Sequence, residues 1–275
     1  MSETSALSPA VIAFVAQVGK LPLMPGLALV LARSVNDDHL GAAELGSHIA
    51  DDAGLAAQLL RLVNSPFYGF SRRIGTVSDA IAVLGFNLVR RIVTAAVLQR
   101  PQHSGLPDGP ATRAFWRHQL LVAVLARFVH AQRGEEGAEL AYMAGLLHDI
   151  GRLAMQVACP PASGLLIASY TVGEEALVLE ERARLSFDHA EAGAALLQAW
   201  QLPDILVQAV WQHASPTAPD EPTAASVWQA NRLAHWIEND PAPVQEQPWM
   251  RECGFALADC LRLVAEVDAI AGPAR

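Results

Sequence analysis

A chain of 275 residues that is 52% apolar and only 17% charged has ample material for the core of one large domain or two ordinary ones. The formal net charge of −9 argues against a nucleic-acid surface, which needs a basic stripe, and against an anionic membrane as a partner. The first ten residues lack the basic start and apolar core of a signal peptide, and no uncharged apolar run approaches the roughly 18 residues of a spanning helix. The three cysteines form no CxxC pair and fit a reducing compartment. We therefore expect a cytoplasmic protein that does not bind membranes.

Helical periodicity dominates the chain, because alanine and leucine recur throughout and no alternating run of β-branched residues lies between turns. This pattern predicts an all-α fold. In residues 1–100, glycine, proline or a polar turn ends the helical segments. The helices predicted here are Val11–Val18, Leu27–Val35, Ala42–Ile49, Leu55–Val63 with an N-cap from Asp51-Asp52, Val77–Leu84 and Leu88–Leu98.

The stretch at residues 101–110 (PQHSGLPDGP) is rich in proline and glycine and is the best candidate for a linker. It divides the chain into two predicted domains, residues 1–100 and residues 111–275. A second Pro-rich stretch, residues 241–248, is predicted to be a loop. The helices predicted after the linker are Ala114–Gln132, Leu140–Leu147, Ala162–Tyr170, Glu174–Leu185, Ala190–Ala199, Pro203–Gln212, Ala224–Ile237 and Phe255–Ala269.

The segment from Ala43 to Asn64 has the outline of a helix–turn–helix DNA reader. A recognition helix needs exposed Arg, Lys, Asn or Gln side chains that reach base edges. The second helix of this segment offers only Gln58 and Arg61 among alanines and leucines, and the first helix is acidic. An ordinary αα-hairpin is therefore favoured. A DNA-binding regulator is the least favoured function, and nucleic acid is not an expected partner.

An aromatic turn, NSPFYG, runs from Asn64 to Gly69. Phe67 and Tyr68 bring large apolar area to this turn, which favours packing against the core. The alternative is a rim that docks a partner protein. In that case Asn64, Phe67 and Tyr68 are the partner-binding candidates.

A His-Asp pair follows an apolar run in GLLHDIG, residues 145–151. The run delivers His148 and Asp149 and stops at Gly151, as a buried helix end would. An imidazole beside a carboxylate offers mixed nitrogen and oxygen ligation for one divalent transition metal, namely Fe, Mn, Zn or Ni. Ligands from several helices converge in a bundle core. The further candidates are His118, His189, His213 and Asn231, whereas His39, His48, His103, His130 and His235 are expected to be ordinary satisfied or exposed side chains.

These motifs, in their order and spacing, resemble the HDOD proteins, which are signalling relatives of the HD phosphohydrolases. The resemblance covers nearly the whole chain. It is carried by Leu21-Pro22-x-x-Pro25, the NSPFYG turn, Ala80-Ile81-x-x-Leu84-Gly85, Phe115-Trp116-x-His118, the GLLHDIG run, His189-x-x-x-Gly193, Trp200-x-Leu202-Pro203 and Ala209-Val210-x-x-His213-x-x-Pro216.

The resemblance implies an N-terminal helical bundle packed on a degenerate HD-like helical bundle. HD enzymes bind metal through an H…HD…D pattern and hydrolyse phosphoesters. By this match His118 is the first ligand, His148 and Asp149 are the HD pair, and Asn231 stands at the last aspartate. His189 and His213 match histidines that serve further metals in the related HD-GYP phosphodiesterases of cyclic di-GMP.

The departures from the HD pattern concern the metal ligands. Asn231 replaces a carboxylate by an amide, which coordinates transition metals poorly. Ala214 stands where HD-GYP enzymes have the second of two adjacent histidines, Arg152 replaces the lysine after the HD-x-G run, and no Gly-Tyr-Pro loop follows His189. Metal-assisted hydrolysis needs an ion that binds phosphate and activates water. A hydrolase with several metals is therefore not favoured.

The favoured function is a cytoplasmic, non-catalytic signalling module that works through protein–protein or small-ligand binding, so no catalytic residue is assigned. Its expected partners are signalling proteins, including those of cyclic-di-GMP pathways. The alternative is a metal-dependent phosphohydrolase that acts on a nucleotide or cyclic dinucleotide. In that alternative His118, His148 and Asp149 hold one metal ion, completed by Asn231 or water, and Arg117 and Arg152 meet the phosphate oxygens.

Overall fold

The computed structural model describes residues 8–19, 21–22, 41–98, 109–159, 174–239 and 255–271, and all regular secondary structure in these ranges is helical. The predicted all-α fold is therefore confirmed. No helix within these ranges is both long and apolar enough to cross a membrane. The helices are α1 (Pro9–Gln17), α2 (Ala42–Ala50), α3 (Ala53–Val63), α4 (Val77–Leu84), α5 (Phe86–Leu98), α6 (Pro110–Gln132), α7 (Ala138–Leu147), α8 (Ile150–Ala158), α9 (Glu174–Leu185), α10 (His189–Ala199), α11 (Asp204–Gln212), α12 (Pro222–Asn239) and α13 (Leu257–Ala271).

Local capping explains where several helices begin and end. The Asp52 carboxylate accepts a hydrogen bond from the Leu55 N–H at 2.8 Å, so the N-cap predicted for α3 lies at the second of the two aspartates. The Thr76 hydroxyl accepts from the Asp79 N–H at 3.1 Å at the start of α4. Gly85 ends α4 with φ of +80°, a backbone conformation that glycine adopts without steric cost.

A helix, α8, follows the His-Asp pair directly, whereas the sequence predicts that the helical segment ends at this pair. Gly151 lies inside α8 and does not end a helix. A Cβ added at Gly151 would lie 2.7 Å from the Gly193 nitrogen, and closer still to the His189 carbonyl. Glycine is therefore required here by the close approach of α8 to α10, and not by a chain reversal.

Some predicted segments lie outside the described residues. They are the helices Leu27–Val35 and Ala162–Tyr170, the loop at residues 241–248 and the linker up to residue 108. The last linker residue, Pro110, is already the first residue of α6.

The N-terminal and C-terminal bundles pack directly on each other and share one buried apolar cluster. The Arg73 guanidinium donates to the Leu202 carbonyl at 2.9 Å. The Tyr142 hydroxyl donates to the Asp51 carboxylate at 3.1 Å. Because α3 contributes most of its residues to the core, it presents no exposed recognition face, and the predicted αα-hairpin is the observed arrangement.

Helix α6 packs on α7, α12 and α13 and forms the centre of the C-terminal bundle. A Cβ added at Gly145 of α7 would lie 2.8 Å from Cα of Ala123 in α6. The two glycines of the GLLHDIG run therefore permit close helix contacts on either side of His148 and Asp149. These contacts bring together histidines from α6, from α10 and from the residue that caps the end of α11.

Candidate metal centre

The His-Asp pair joins two helices, since His148 caps the end of α7 and Asp149 immediately precedes α8. The Nδ1–H of His148 donates to the Gly145 carbonyl at 2.7 Å, so Nε2 presents its lone pair to the site. This buried Nε2 lies 3.6 Å from Oδ2 of Asp149 and has no hydrogen-bond partner among the described residues. Buried ring nitrogens are normally satisfied, and a metal ion would supply the missing partner.

His118 projects from α6 and is engaged at both ring nitrogens. Its Nδ1 lies 2.7 Å from Oε2 of Glu238, and its Nε2 lies 3.1 Å from Oδ1 of Asn231. Burial opposes the charged ring, but the Glu238 carboxylate outweighs this effect and raises the pKa of His118 above its usual value. Because Glu238 occupies Nδ1, a metal would bind His118 through Nε2, and the amide of Asn231 contacts this same nitrogen.

His189 and His213 meet through their Nε2 atoms, which lie 3.1 Å apart. Nδ1 of His213 donates to the Val210 carbonyl at 2.7 Å, and Nδ1 of His189 lies 2.6 Å from Oε2 of Glu181. Both Nε2 atoms lie 3.5 Å from Oδ1 of Asp149. Such partners at Nδ1 orient metal-binding histidines in general, and here they point both Nε2 atoms toward Asp149.

Glu174, the first residue of α9, belongs to the same group. Its Oε1 lies 3.0 Å from Nε2 of His189 and 3.9 Å from Nε2 of His213. Its Oε2 lies 2.9 Å from Nε2 of His235 and 3.4 Å from Nδ2 of Asn231. One carboxylate thus connects the second pair of histidines to the Asn231 side of the site.

Four residues of this region are not predicted from the sequence. His235 is expected to be an ordinary side chain, whereas its ring centroid lies 4.7 Å from that of His118. A signal existed, because His235 follows Asn231 by one helical turn and shares its face of α12. The other missed residues, Glu174, Glu181 and Glu238, belong to no motif and reach the site through the tertiary fold. His130, by contrast, is satisfied as expected, with Nδ1 3.2 Å from the Ser226 hydroxyl.

The two arginines considered for phosphate binding are both engaged with carboxylates inside the protein. Arg117 is 5% exposed, and its guanidinium donates to Asp268 at 2.8 Å and to Glu238 at 3.3 Å. Arg152 is 1% exposed and donates to Oδ2 of Asp149 at 3.1 Å. Arg152 therefore neutralises a buried carboxylate, and Arg117 neutralises two partly buried ones.

Electrostatics favour metal ligation at three members of the site and oppose it at His189, where burial disfavours the charged ring but Glu181 outweighs it and raises the pKa well above its usual value. Burial alone would raise the pKa of Asp149, but nearby positive charge, including that of Arg152, holds it well below its usual range. Burial also opposes the ionisation of Glu174, yet hydrogen bonding to His189 contributes to a pKa well below the usual range. Burial lowers the pKa of His148 well below its usual value, so this ring is neutral. Ionised carboxylates and neutral imidazoles are the forms that bind metals.

Two donor groups share Asp149, and within each group all ligand atoms lie within 4.8 Å of one another. Imidazole nitrogen and carboxylate oxygen suit divalent transition metals. The residues present therefore fit a metal ion. The first donor group is His118, His148 and Asp149, and the second donor group is Asp149, Glu174, His189 and His213.

A cavity of about 700 Å³ opens on the second donor group. Its lining includes Glu174, His213 and His235, with Trp211 and Trp228 as aromatic walls. The cavity gives a small ligand a route to the buried side chains.

The turn at residues 64–69 forms an exposed surface on the N-terminal bundle. Phe67 is 88% exposed and Phe70 is 42% exposed, which contradicts the expectation of core packing for Phe67. Tyr68 lies between them, 5.1 Å from the Phe67 ring and 6.2 Å from the Phe70 ring, measured between centroids. We call Phe67, Tyr68 and Phe70 the aromatic corner. Asn64 is a support for this corner, because its side chain accepts from the Ile74 N–H at 2.7 Å and donates to the Ile74 carbonyl at 2.8 Å.

An all-helical fold with a buried His-Asp pair between two helices, and further histidines converging on it, defines an HD-type protein. The HDOD domain pattern matches residues 21–216, so the chain belongs to the HDOD family.

Among solved structures, that of the response regulator MmoQ from Methylococcus capsulatus is 26% identical, with a TM-score of 0.74 over 90% of this chain and 98% of the solved chain. A virulence factor of Campylobacter jejuni is 21% identical and shares the fold, with a TM-score of 0.65 over 96% of this chain and 97% of that protein. An uncharacterized protein of Treponema pallidum is 24% identical over 243 residues, or 84% of this chain. The chain spans 45% of the length of that Treponema protein.

Proposed function

We propose that this chain is a regulatory module of bacterial signal transduction that acts by binding and not by hydrolysis. The observation that carries the proposal is the 3.1 Å contact between Oδ1 of Asn231 and Nε2 of His118. At this position the HD pattern has a carboxylate, and the amide is both uncharged and a poor metal ligand. The likeness to MmoQ, which is a response regulator, supports a signalling role.

The charges around the cavity also disfavour a phosphoester substrate. Arg182 is paired with Asp188 at 2.8 Å, and Arg232 lies over the Trp228 ring, 4.9 Å from its centroid. A phosphate in this cavity would meet more carboxylates than arginines. The carboxylates in the lining are Glu174, Glu175, Asp188 and Glu191.

For the binding surface we propose the aromatic corner, together with the three arginines that flank it in sequence. Residues 61–73 contain Arg61, Arg72 and Arg73 and no acidic residue, on a chain whose net charge is −9. Exposed aromatic and arginine side chains are the residue types that dominate binding energy at protein interfaces. The chemistry favours an acidic segment of a signalling partner, and proteins of cyclic-di-GMP pathways are the expected class.

Partner capture with matched variants tests this surface. Consider a partner that is recovered with the wild-type chain. Phe67→Ala and Arg72→Glu are each expected to weaken its binding by about 10-fold or more, because each removes a candidate anchor. The control is Leu179→Ala, which truncates a side chain on α9 that is 65% exposed. A partner that binds all of these variants equally well would place the interface elsewhere.

A metal-dependent phosphohydrolase remains the second candidate, because the lone pair of His148 and the ionised Asp149 would still ligate a metal. Its substrate would be a nucleotide or cyclic dinucleotide. The first donor group would hold Fe, Mn, Zn or Ni, with Asn231 or water completing the shell. Phosphodiester turnover that is lost on Asp149→Ala would favour this candidate over the binding module.

A further inference from the structure

We propose that Glu174 completes a four-ligand zinc site with Asp149, His189 and His213, and so supplies the carboxylate that Asn231 does not. The non-hydrolytic role of this site rests on the proposed function, whereas the ligation itself does not. Nothing in the HD pattern marks Glu174, which lies on α9, a helix that carries none of the pattern's metal-binding positions.

The spacing of the ligand atoms carries the proposal. In a tetrahedral zinc site with bonds of about 2.0–2.1 Å, adjacent ligand atoms lie about 3.3–3.4 Å apart. Here Nε2 of His189 lies 3.1 Å from Nε2 of His213 and 3.0 Å from Oε1 of Glu174. The separations from Oδ1 of Asp149 to the two histidines are both 3.5 Å, and that from His213 to Glu174 is 3.9 Å. These values bracket the expected spacing.

The number of hydrogen-bond acceptors around Nε2 of His189 also favours a bound cation. The Val210 carbonyl can only accept, so Nδ1 of His213 carries the proton of the neutral ring and Nε2 offers a lone pair. Carboxylate oxygens of Asp149 and Glu174 converge on the same point. One proton on Nε2 of His189 would have to serve both Nε2 of His213 and Oε1 of Glu174, whereas a divalent ion would satisfy both together.

The surroundings hold each ligand in place, as outer-shell partners do in metal sites. Glu181 accepts from both the backbone N–H and Nδ1 of His189, at 2.9 and 2.6 Å. Arg152 donates to the other oxygen of Asp149 at 3.1 Å, and His235 contacts the other oxygen of Glu174 at 2.9 Å. Four protein ligands close the coordination sphere, which is the pattern of structural zinc sites and not of catalytic ones.

Zinc binding by the full chain tests the proposal. Wild type is expected to retain one Zn²⁺ per chain after dialysis, and Co²⁺ in its place should give the intense visible absorption of a tetrahedral site. Glu174→Gln keeps the size of the side chain and removes its charge. This variant should weaken the binding of Zn²⁺ at least as much as the loss of an outer-shell partner does, which is about 10–100-fold in metal affinity. The matched control is Glu175→Gln, which changes the adjacent exposed residue and should bind as wild type does.

Two results would overturn the proposal. One is wild-type affinity and an unchanged Co²⁺ spectrum in Glu174→Gln, and the other is no more Zn²⁺ in the wild type than in His189→Ala. If Glu174→Gln does not fold, a crystal structure of the Zn²⁺-loaded wild type decides, because the proposal requires a carboxylate oxygen of Glu174 within bonding distance of the ion. Phosphodiester turnover by the zinc-loaded chain would refute the proposed function and leave the ligation intact. Absent zinc binding would refute the ligation and leave the function intact.

Discussion

Oδ1 of Asn231 lies 3.1 Å from Nε2 of His118, so an amide meets the ring nitrogen that would bind a metal in an HD hydrolase. On the other side of Asp149, Glu174 lies 3.0 Å from Nε2 of His189. The first donor group thus has an amide where the HD pattern has a carboxylate, while the second contains the Glu174 carboxylate beside its two histidines. This arrangement of carboxylates is the basis for proposing a metal that supports structure and not turnover.

Asn231→Asp is expected to restore the missing anionic ligand of the first donor group. A carboxylate beside His118 should tighten the binding of Fe²⁺ or Mn²⁺ at the first donor group by about 10-fold or more. The group gains a negative charge as well as a better ligand. Metal content per chain at fixed free metal measures the change. Asn239→Asp adds the same charge at the exposed end of α12 and is the control. Equal metal content in the two variants would contradict the role given to Asn231.

Gly151→Ala is expected to separate α8 from α10. The new Cβ would lie 2.7 Å from the Gly193 nitrogen, and backbone atoms cannot move aside cheaply. Overpacking of this kind costs about 3 kcal/mol of unfolding free energy. Gly41→Ala is the control, because a Cβ there meets nothing within 4 Å. Urea unfolding of both variants decides, and a wild-type midpoint for Gly151→Ala would show that the helices are not in close contact.

Asn64→Ala is expected to destabilise the chain by about 2–4 kcal/mol, because it removes the hydrogen bonds to Ile74 and leaves a partly buried N–H without its acceptor. Phe67→Ala, in the same turn, should change stability by no more than about 0.5 kcal/mol since its side chain is 88% exposed. Thermal unfolding separates the two roles. Comparable losses in both variants would mean that Phe67 is also a structural residue.

Much of the fold can be predicted from the sequence where local signals coincide with helix ends. Thr76 caps α4, Gly85 ends it, and the predicted bounds Val77–Leu84 are those observed. Helix α8 could not be predicted in this way, because the glycine at position 151 serves tertiary packing and resembles a helix end only in sequence.

The candidate site likewise contains residues that sequence motifs predict and residues that only the tertiary fold reveals. His118, His148, Asp149, His189 and His213 belong to motifs, and the structure brings them together. Glu174 follows Asp149 by 25 positions and lies in no motif, so only the packing of α9 reveals it. The exposure of Phe67 was equally hidden, since an aromatic residue in a turn packs inward or outward according to the neighbouring helices.

The contact between Tyr142 and Asp51 predicts a loss of stability at high pH. Burial raises the pKa of Tyr142 well above its usual value, and Asp51 adds to this effect. The folded chain then holds the phenol proton more tightly than the unfolded chain, so stability is lost as pH rises above the ordinary tyrosine pKa of about 10. Urea midpoints between about pH 8 and pH 11 should fall more steeply for wild type than for Tyr142→Phe. Tyr68→Phe is the control and should retain the wild-type slope, whereas equal slopes for all three proteins would contradict the prediction.

Phosphodiester turnover, measured side by side for wild type and Asp149→Ala after loading with Zn²⁺, Mn²⁺ or Fe²⁺, tests the central claim most directly. Asp149 belongs to both donor groups, so its removal disables either metal site. A module that works by binding predicts rates for the wild type that equal those of the variant with a cyclic dinucleotide and with a simple aryl phosphodiester. Turnover by the metal-loaded wild type that disappears in Asp149→Ala would contradict it and identify a hydrolase.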